Sequence, residues 1–174
     1  MNKTKALTQA GIMIALSQIL SYVKFFEMPQ GGSVTVASMV PVIFYSLLWG
    51  PKYGLLACTV YGFLQLILGG EVYHTMSIFL DYIFAFGLLG IAGFFNKDFK
   101  SAMLGSTLAM LLRYLMHFIS GVTLFYMYAP EGQPVWLYSL LYNSFMVVEI
   151  AISLPVLAFL YKRVVEKKLL PNNN

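Results

Sequence analysis

Asp81, Arg113, His117 and Glu149 interrupt stretches of sequence that are otherwise apolar. Inside a membrane span such groups cost about 2.5–3.5 kcal/mol each on insertion scales, so they mark a functional site by default. Tyr61, Tyr82, Tyr138 and Asn143 sit in neighbouring apolar stretches and add aromatic faces and an amide. An acid, an imidazole, an amide and several aromatics on different spans suit the capture of a small molecule. Each alone has a plainer reading, because a lone polar residue in a membrane helix often serves as a hydrogen bond between helices. The weight lies in their sharing one level.

That level follows from the spans that must carry them. About 20 apolar residues are needed to cross a bilayer. Six stretches serve: 5–24, 36–49, 52–69, 73–95, 100–125 and 135–163, the second and third being short. Breaks fall at Met28-Pro29-Gln30-Gly31-Gly32-Ser33, Gly50-Pro51-Lys52, Gly69-Gly70-Glu71, Asn96-Lys97-Asp98 and Ala129 to Pro134. At a helical rise of about 1.5 Å per residue, Tyr61, Asp81, His117 and Asn143 each lie about 12 Å from the outer end of their span. Arg113 is one turn inward of His117 on the same face, about 18 Å deep, and Glu149 about 21 Å. Arg113 has two candidate partners, Glu149 and Asp81.

Composition agrees with an all-α polytopic membrane protein, residues 1–174 forming a single transmembrane domain. Hydrophobic residues make up 59% of the 174, mean hydropathy is +0.75, and 10% are charged. A soluble domain carries about 25% charged residues. The basic, then apolar, N-terminus lacks a small-residue cleavage site and reads as a retained first span. Lys3, Lys5, Lys52, Lys97, Lys100, Lys162, Arg163, Lys167 and Lys168 fall on the side of the termini, and Lys24 alone on the other. This bias places both termini in the cytoplasm and the polar level in the outer half of the membrane. Tyr22, Tyr73, Tyr126, Tyr128 and Trp136 mark the outer interface. The net charge of +4 is explained by topology and calls for no nucleic-acid partner.

Catalytic signatures are missing. The chain has no P-loop, HExxH, GxSxG or paired metal ligands, and Cys58 is a lone cysteine in an apolar run. No cofactor or metal is implied, the protein is expected not to be an enzyme, and energised transport would need partners. An intramembrane enzyme using His117 and Asp81 as base and acid is disfavoured by the lack of a nucleophile. Gly11-Ile12-Met13-Ile14-Ala15 forms a small-xxx-small step that lets another helix approach closely.

The motifs Leu80-Asp81-Tyr82, Leu89-Gly90-Ile91-Ala92-Gly93, Arg113 to Gly121, Tyr138-Ser139-Leu140-Leu141-Tyr142-Asn143 and the Met28–Val34 loop carry a family resemblance. Over nearly its whole length the chain resembles the thiamine-specific substrate-binding (S) components of energy-coupling factor (ECF) transporters, the ThiT family. The resemblance implies six membrane helices and a thiamine site near the outer face. It implies assembly with a membrane-embedded T component and two ATPase subunits, with Gly11 and Ala15 on the docking face. Carried over by position, the binding residues would be Tyr61, Asp81, Tyr82, His117, Tyr138 and Asn143, with Tyr73 a looser match. Arg113 joins them on the depth argument. The chain departs from the family in having Asp81 where Glu also occurs, and Phe125 in place of a stacking Trp, with Trp136 as a nearby substitute. A Trp before the second helix is absent, and Gly31-Gly32-Ser33 occupies that region. The alternatives are an S component for another vitamin and a non-catalytic membrane assembly subunit.

Overall fold

The computed structural model describes residues 3–29 and 32–166. Lys167 and Lys168 of the basic set, Gly31 of the first loop and the Asn172–Asn174 tail lie outside the described residues. Six helices and one short hairpin make up the described chain. In order they are α1 (Lys3–Ser21), β1 (Lys24–Glu27), β2 (Ser33–Thr35), α2 (Val40–Trp49), α3 (Pro51–Ile67), α4 (Ile78–Phe94), α5 (Phe99–Thr123) and α6 (Val135–Val165).

Helix limits follow local chemistry. Gly50, at φ 79°, ends α2, and Pro51 opens α3 at the position where a missing N–H costs nothing. Asp98 caps α5 by accepting from the Ser101 amide at 2.8 Å. α5 and α6 are long and apolar enough to cross a bilayer. α2 is not: its 10 residues reach about 15 Å, half of a hydrocarbon core of about 30 Å. The second span expected over 36–49 is thus helical only in its inner part. Its first residues, 36–39, form a turn that follows the hairpin, in which β1 and β2 pair antiparallel with Glu27 opposite Ser33.

Nine of the ten α2 side chains are buried, so this helix is the centre of the bundle. Leu89, Met110, Met146 and Leu157 join its Ile43 in the core with almost no exposure. α4 lies so close to α3 that a Cβ on Gly90 would stand 2.4 Å from the Leu55 amide nitrogen. The rim of the bundle is apolar instead of charged. Leu7, Ile19, Leu104, Leu115, Val147 and Phe159 are exposed, as lipid-facing positions should be.

The basic ends gather at one end of the bundle. The Trp49 indole donates to the Gln9 side chain at 2.7 Å, and the Phe99 and Tyr161 rings meet edge to face at 5.9 Å. The hairpin and the loop before α4 occupy the other end.

Candidate functional site

Asp81 is the hub of the polar groups. It stands in the first part of α4, where residues Ile78–Phe84 wind in wide π-helical turns, a departure often found at functional sites. The Ser120 hydroxyl donates to its Oδ2 at 2.7 Å, and His117 Nδ1 lies 3.0 Å from its Oδ1. His117 and Ser120 are three residues apart on α5, so they share the face that meets α4.

α6 joins this cluster through Asn143. Its amide donates to the Ser139 carbonyl at 2.9 Å and to the His117 carbonyl at 3.3 Å. The Ser139 hydroxyl donates to the Phe118 carbonyl at 2.8 Å. These bonds need the helices in close contact, and Gly121 allows it. A Cβ there would stand 2.1 Å from Ser139 Oγ.

Deeper in, Arg113 stacks its guanidinium 4.1 Å from the centre of the Phe86 ring, and its Nη1 lies 3.9 Å from Glu149 Oε2. Of the two partners open to Arg113, Glu149 is the carboxylate facing it at this distance, and Asp81 is held by His117 and Ser120. Arg113 Nε and Nη1 and His117 Nε2 are buried without a hydrogen-bond partner within the protein. Tyr61 is fully buried. Its hydroxyl donates to the Ser17 carbonyl at 3.1 Å, and its ring meets Phe86 edge to face at 5.1 Å.

At the mouth, the Tyr82 hydroxyl donates to the Glu71 carbonyl at 2.9 Å, and Tyr73 packs edge to face on Phe125 at 6.0 Å. The Tyr73 hydroxyl donates to the Glu71 carboxylate at 2.5 Å, and that bond pushes the phenol's pKa above its ordinary value.

Together these groups wall a cavity of ≈ 190 Å³ that lies under the hairpin. Tyr61, Tyr73, Asp81, Tyr82, Arg113, His117, Phe125, Tyr138 and Asn143 all line it. Trp136 does not. It sits 55% exposed on the first turn of α6, two residues before Tyr138, and so on a different face of the helix. It belongs with the exposed outer aromatics and cannot replace a stacking ring at Phe125. Gly11 and Ala15 are exposed on α1, and nothing lies within 4 Å of a Cβ built on Gly11.

Sequence reasoning left out Ser120, Phe145, Thr35 and Gln65, all of which line the cavity, and did not count Glu149 among the binding residues although it lines the cavity too. Ser120 carried a usable signal in its three-residue spacing from His117. The hairpin was also legible, as two apolar runs separated by a short Pro- and Gly-containing turn.

The family model for thiamine transporter proteins matches residues 7–169 of the chain. The thiamine transporter ThiT of Bacillus subtilis is 38% identical over 92% of this chain and 94% of its own length. The ThiT of Lacticaseibacillus paracasei is 29% identical over 78% of this chain and 76% of its own. Among solved structures, ThiT from Listeria monocytogenes superposes with a TM-score of 0.79 at 20% identity, covering 94% of this chain and 97% of that one. The chain belongs to the thiamine transporter family, a family of membrane transporters and not of enzymes, and it has the fold of the solved member.

Proposed function

We propose that this family member binds thiamine in the cavity beneath the hairpin and is the substrate-capture subunit of an ECF-type importer. The observation that carries the reading is the charge balance of the buried site. Two buried carboxylates, Asp81 and Glu149, line the cavity with one guanidinium, Arg113, which faces Glu149, and Lys24 at the roof is paired with Glu27 at 2.6 Å. Arg113 is opposed by Glu149, so Asp81 is the buried carboxylate left without a guanidinium of its own. Thiamine brings a permanent single positive charge and a flat aminopyrimidine. A desolvated cation against aromatic faces gains about 0.5–2 kcal/mol per contact, in addition to the carboxylate. Tyr82, Tyr138, His117 and Phe125 supply rings around that level, and Asn143 supplies an amide for the aminopyrimidine edge.

The whole chain acts as one transmembrane substrate-binding domain in the plasma membrane. The positive residues at the end opposite the cavity support cytoplasmic termini and a site that faces outward. With no P-loop motif in its sequence, the chain relies in this reading on a T component and two ATPase subunits. The exposed Gly11–Ala15 face of α1 is where a partner helix can approach most closely.

The test is a titration of thiamine into detergent-solubilised protein. Saturable binding to the isolated chain, without ATP or partners, is the expected result. A flat response to thiamine together with saturable binding of another vitamin would move the protein to a different ligand on the same fold.

A further inference from the structure

β1 has no cover: all four of its residues are exposed. A two-stranded hairpin is marginal in isolation. Its hold on the bundle must therefore come from β2, whose Val34 and Thr35 are buried. Thr35 is tied to α6 through Glu149, a residue only 2% exposed. The Thr35 amide donates to Glu149 Oε1 at 2.8 Å, and the Thr35 hydroxyl donates to the same oxygen. The Ser38 hydroxyl, 2.7 Å from Thr35 Oγ1, is placed to donate to it in turn. The other carboxylate oxygen faces Arg113. One buried carboxylate therefore links the roof of the cavity to the arginine at its floor.

The cost of that carboxylate makes it informative. A hairpin could be seated by apolar packing alone, whereas a buried charge is expensive unless hydrogen-bonded and opposed. Glu149 takes two hydrogen bonds from one residue of the hairpin, and this fixes β2 in depth as well as in position. Lys24, Glu27, Gly32 and Ser33 hang over the cavity from the strands so fixed.

From this geometry we infer that Glu149 is a positioning residue for ligand retention: through Thr35 it holds the hairpin down over an occupied cavity. The inference rests on the thiamine reading of the cavity. Losing the link lets the roof lift, so it speeds release far more than it changes entry.

The experiment is a chase of labelled thiamine from the purified parent, Thr35→Val, Thr35→Ser, Glu149→Gln and the Thr35→Val/Glu149→Gln double variant. Loss of a hydrogen bond to a charged group predicts release about ten-fold faster or more in Thr35→Val, with association within about two-fold of the parent. Thr35→Ser restores the hydroxyl and should restore slow release. The double variant should release no faster than the faster single variant, since both changes break one contact. Release from Thr35→Val within about two-fold of the parent overturns the inference, as does a loss confined to association. If the parent fails to bind thiamine, the functional reading falls, and amide hydrogen exchange of segment 24–35 decides the inference separately. Faster exchange in Thr35→Val and Glu149→Gln than in the parent sustains it, and equal exchange overturns it.

Discussion

Replacing Asp81 by Asn tests the charge argument with little cost to the fold. Asp81 accepts from Ser120 at 2.7 Å and meets His117 Nδ1 at 3.0 Å. An Asn side chain can reproduce both contacts. Its carbonyl oxygen accepts from Ser120, and its amide donates to Nδ1 once the imidazole carries its proton on Nε2. Insertion becomes easier, because a neutral amide costs less in the bilayer than a carboxylate. What disappears is the negative charge. Two unit charges 4 Å apart interact by about 4 kcal/mol at an effective dielectric of 20. Truncating one partner of a buried charge pair costs about 2–5 kcal/mol. We therefore expect thiamine affinity to fall by 2–4 kcal/mol, or about 30- to 900-fold. The assay is equilibrium titration of parent and variant in the same detergent, with a melting curve for each. A neutral thiamine analogue should lose much less than thiamine if the carboxylate meets the cation, and as much if it meets the aminopyrimidine. Unchanged thiamine affinity in a folded Asp81→Asn variant would refute the reasoning and reduce Asp81 to a bond between α4 and α5.

Gly121→Ala should push α5 and α6 apart, because the new Cβ would stand 2.1 Å from Ser139 Oγ. A loss of about 1–3 kcal/mol in stability, read as a lower melting temperature, should accompany weaker thiamine binding. Gly11→Leu or Ala15→Leu should leave thiamine binding by the purified chain unchanged and abolish ATP-driven uptake in the reconstituted complex, since both positions are exposed on α1; loss of binding instead would put this face inside the protein. Asp98→Ala removes the α5 cap and should cost about 1 kcal/mol in stability, with thiamine affinity unaltered; a change in affinity would mean that the far end of α5 communicates with the cavity.

Much of this architecture was legible in the chain. The depth count placed Tyr61, Asp81, His117 and Asn143 at one level, and all four line the cavity, although Asp81 stands only three residues into α4 and the count to it crossed residues that are not helical. The same count could not pair Arg113. Depth specifies level and not azimuth, and the choice between Glu149 and Asp81 depends on how α5 and α6 are rotated about their axes. Trp136, offered as a stacking ring through the resemblance, lies near Tyr138 in the chain but does not line the cavity. Position two residues away on a helix turns a side chain by about 200°. Glu149 was visible as a charge but not as part of the site, since its partner Thr35 is 114 residues distant in sequence.

The second span, already short as an apolar stretch, is helical over Val40–Trp49 alone, and its shortness has a physical cause. Straight helices packed by apolar side chains leave little room for a water-soluble molecule. A cavity requires backbone that departs from the α-helix at the level of the ligand. Such backbone is tolerated at membrane depth only where it is buried in protein or lines a cavity. The structure has such departures around the cavity. β2 leads into the second apolar stretch through a turn containing Ala37 at φ 54°, an uncommon conformation for a residue with a side chain. α4 widens into π-helical turns around Asp81. α6 is interrupted between Tyr142 and Phe145, at Asn143 and Ser144, where the side chain of Asn143 reaches across to α5. Each irregular segment presents a chemical group toward the cavity, whether Thr35, Asp81 or Asn143. Apolar periodicity reports the regular scaffold and is blind to these departures, because apolar residues flank each polar one, as Val34 and Val36 flank Thr35 and Leu80 and Tyr82 flank Asp81. In this chain the polar exceptions were therefore the better guide to the site, and the lengths of the spans the poorer one.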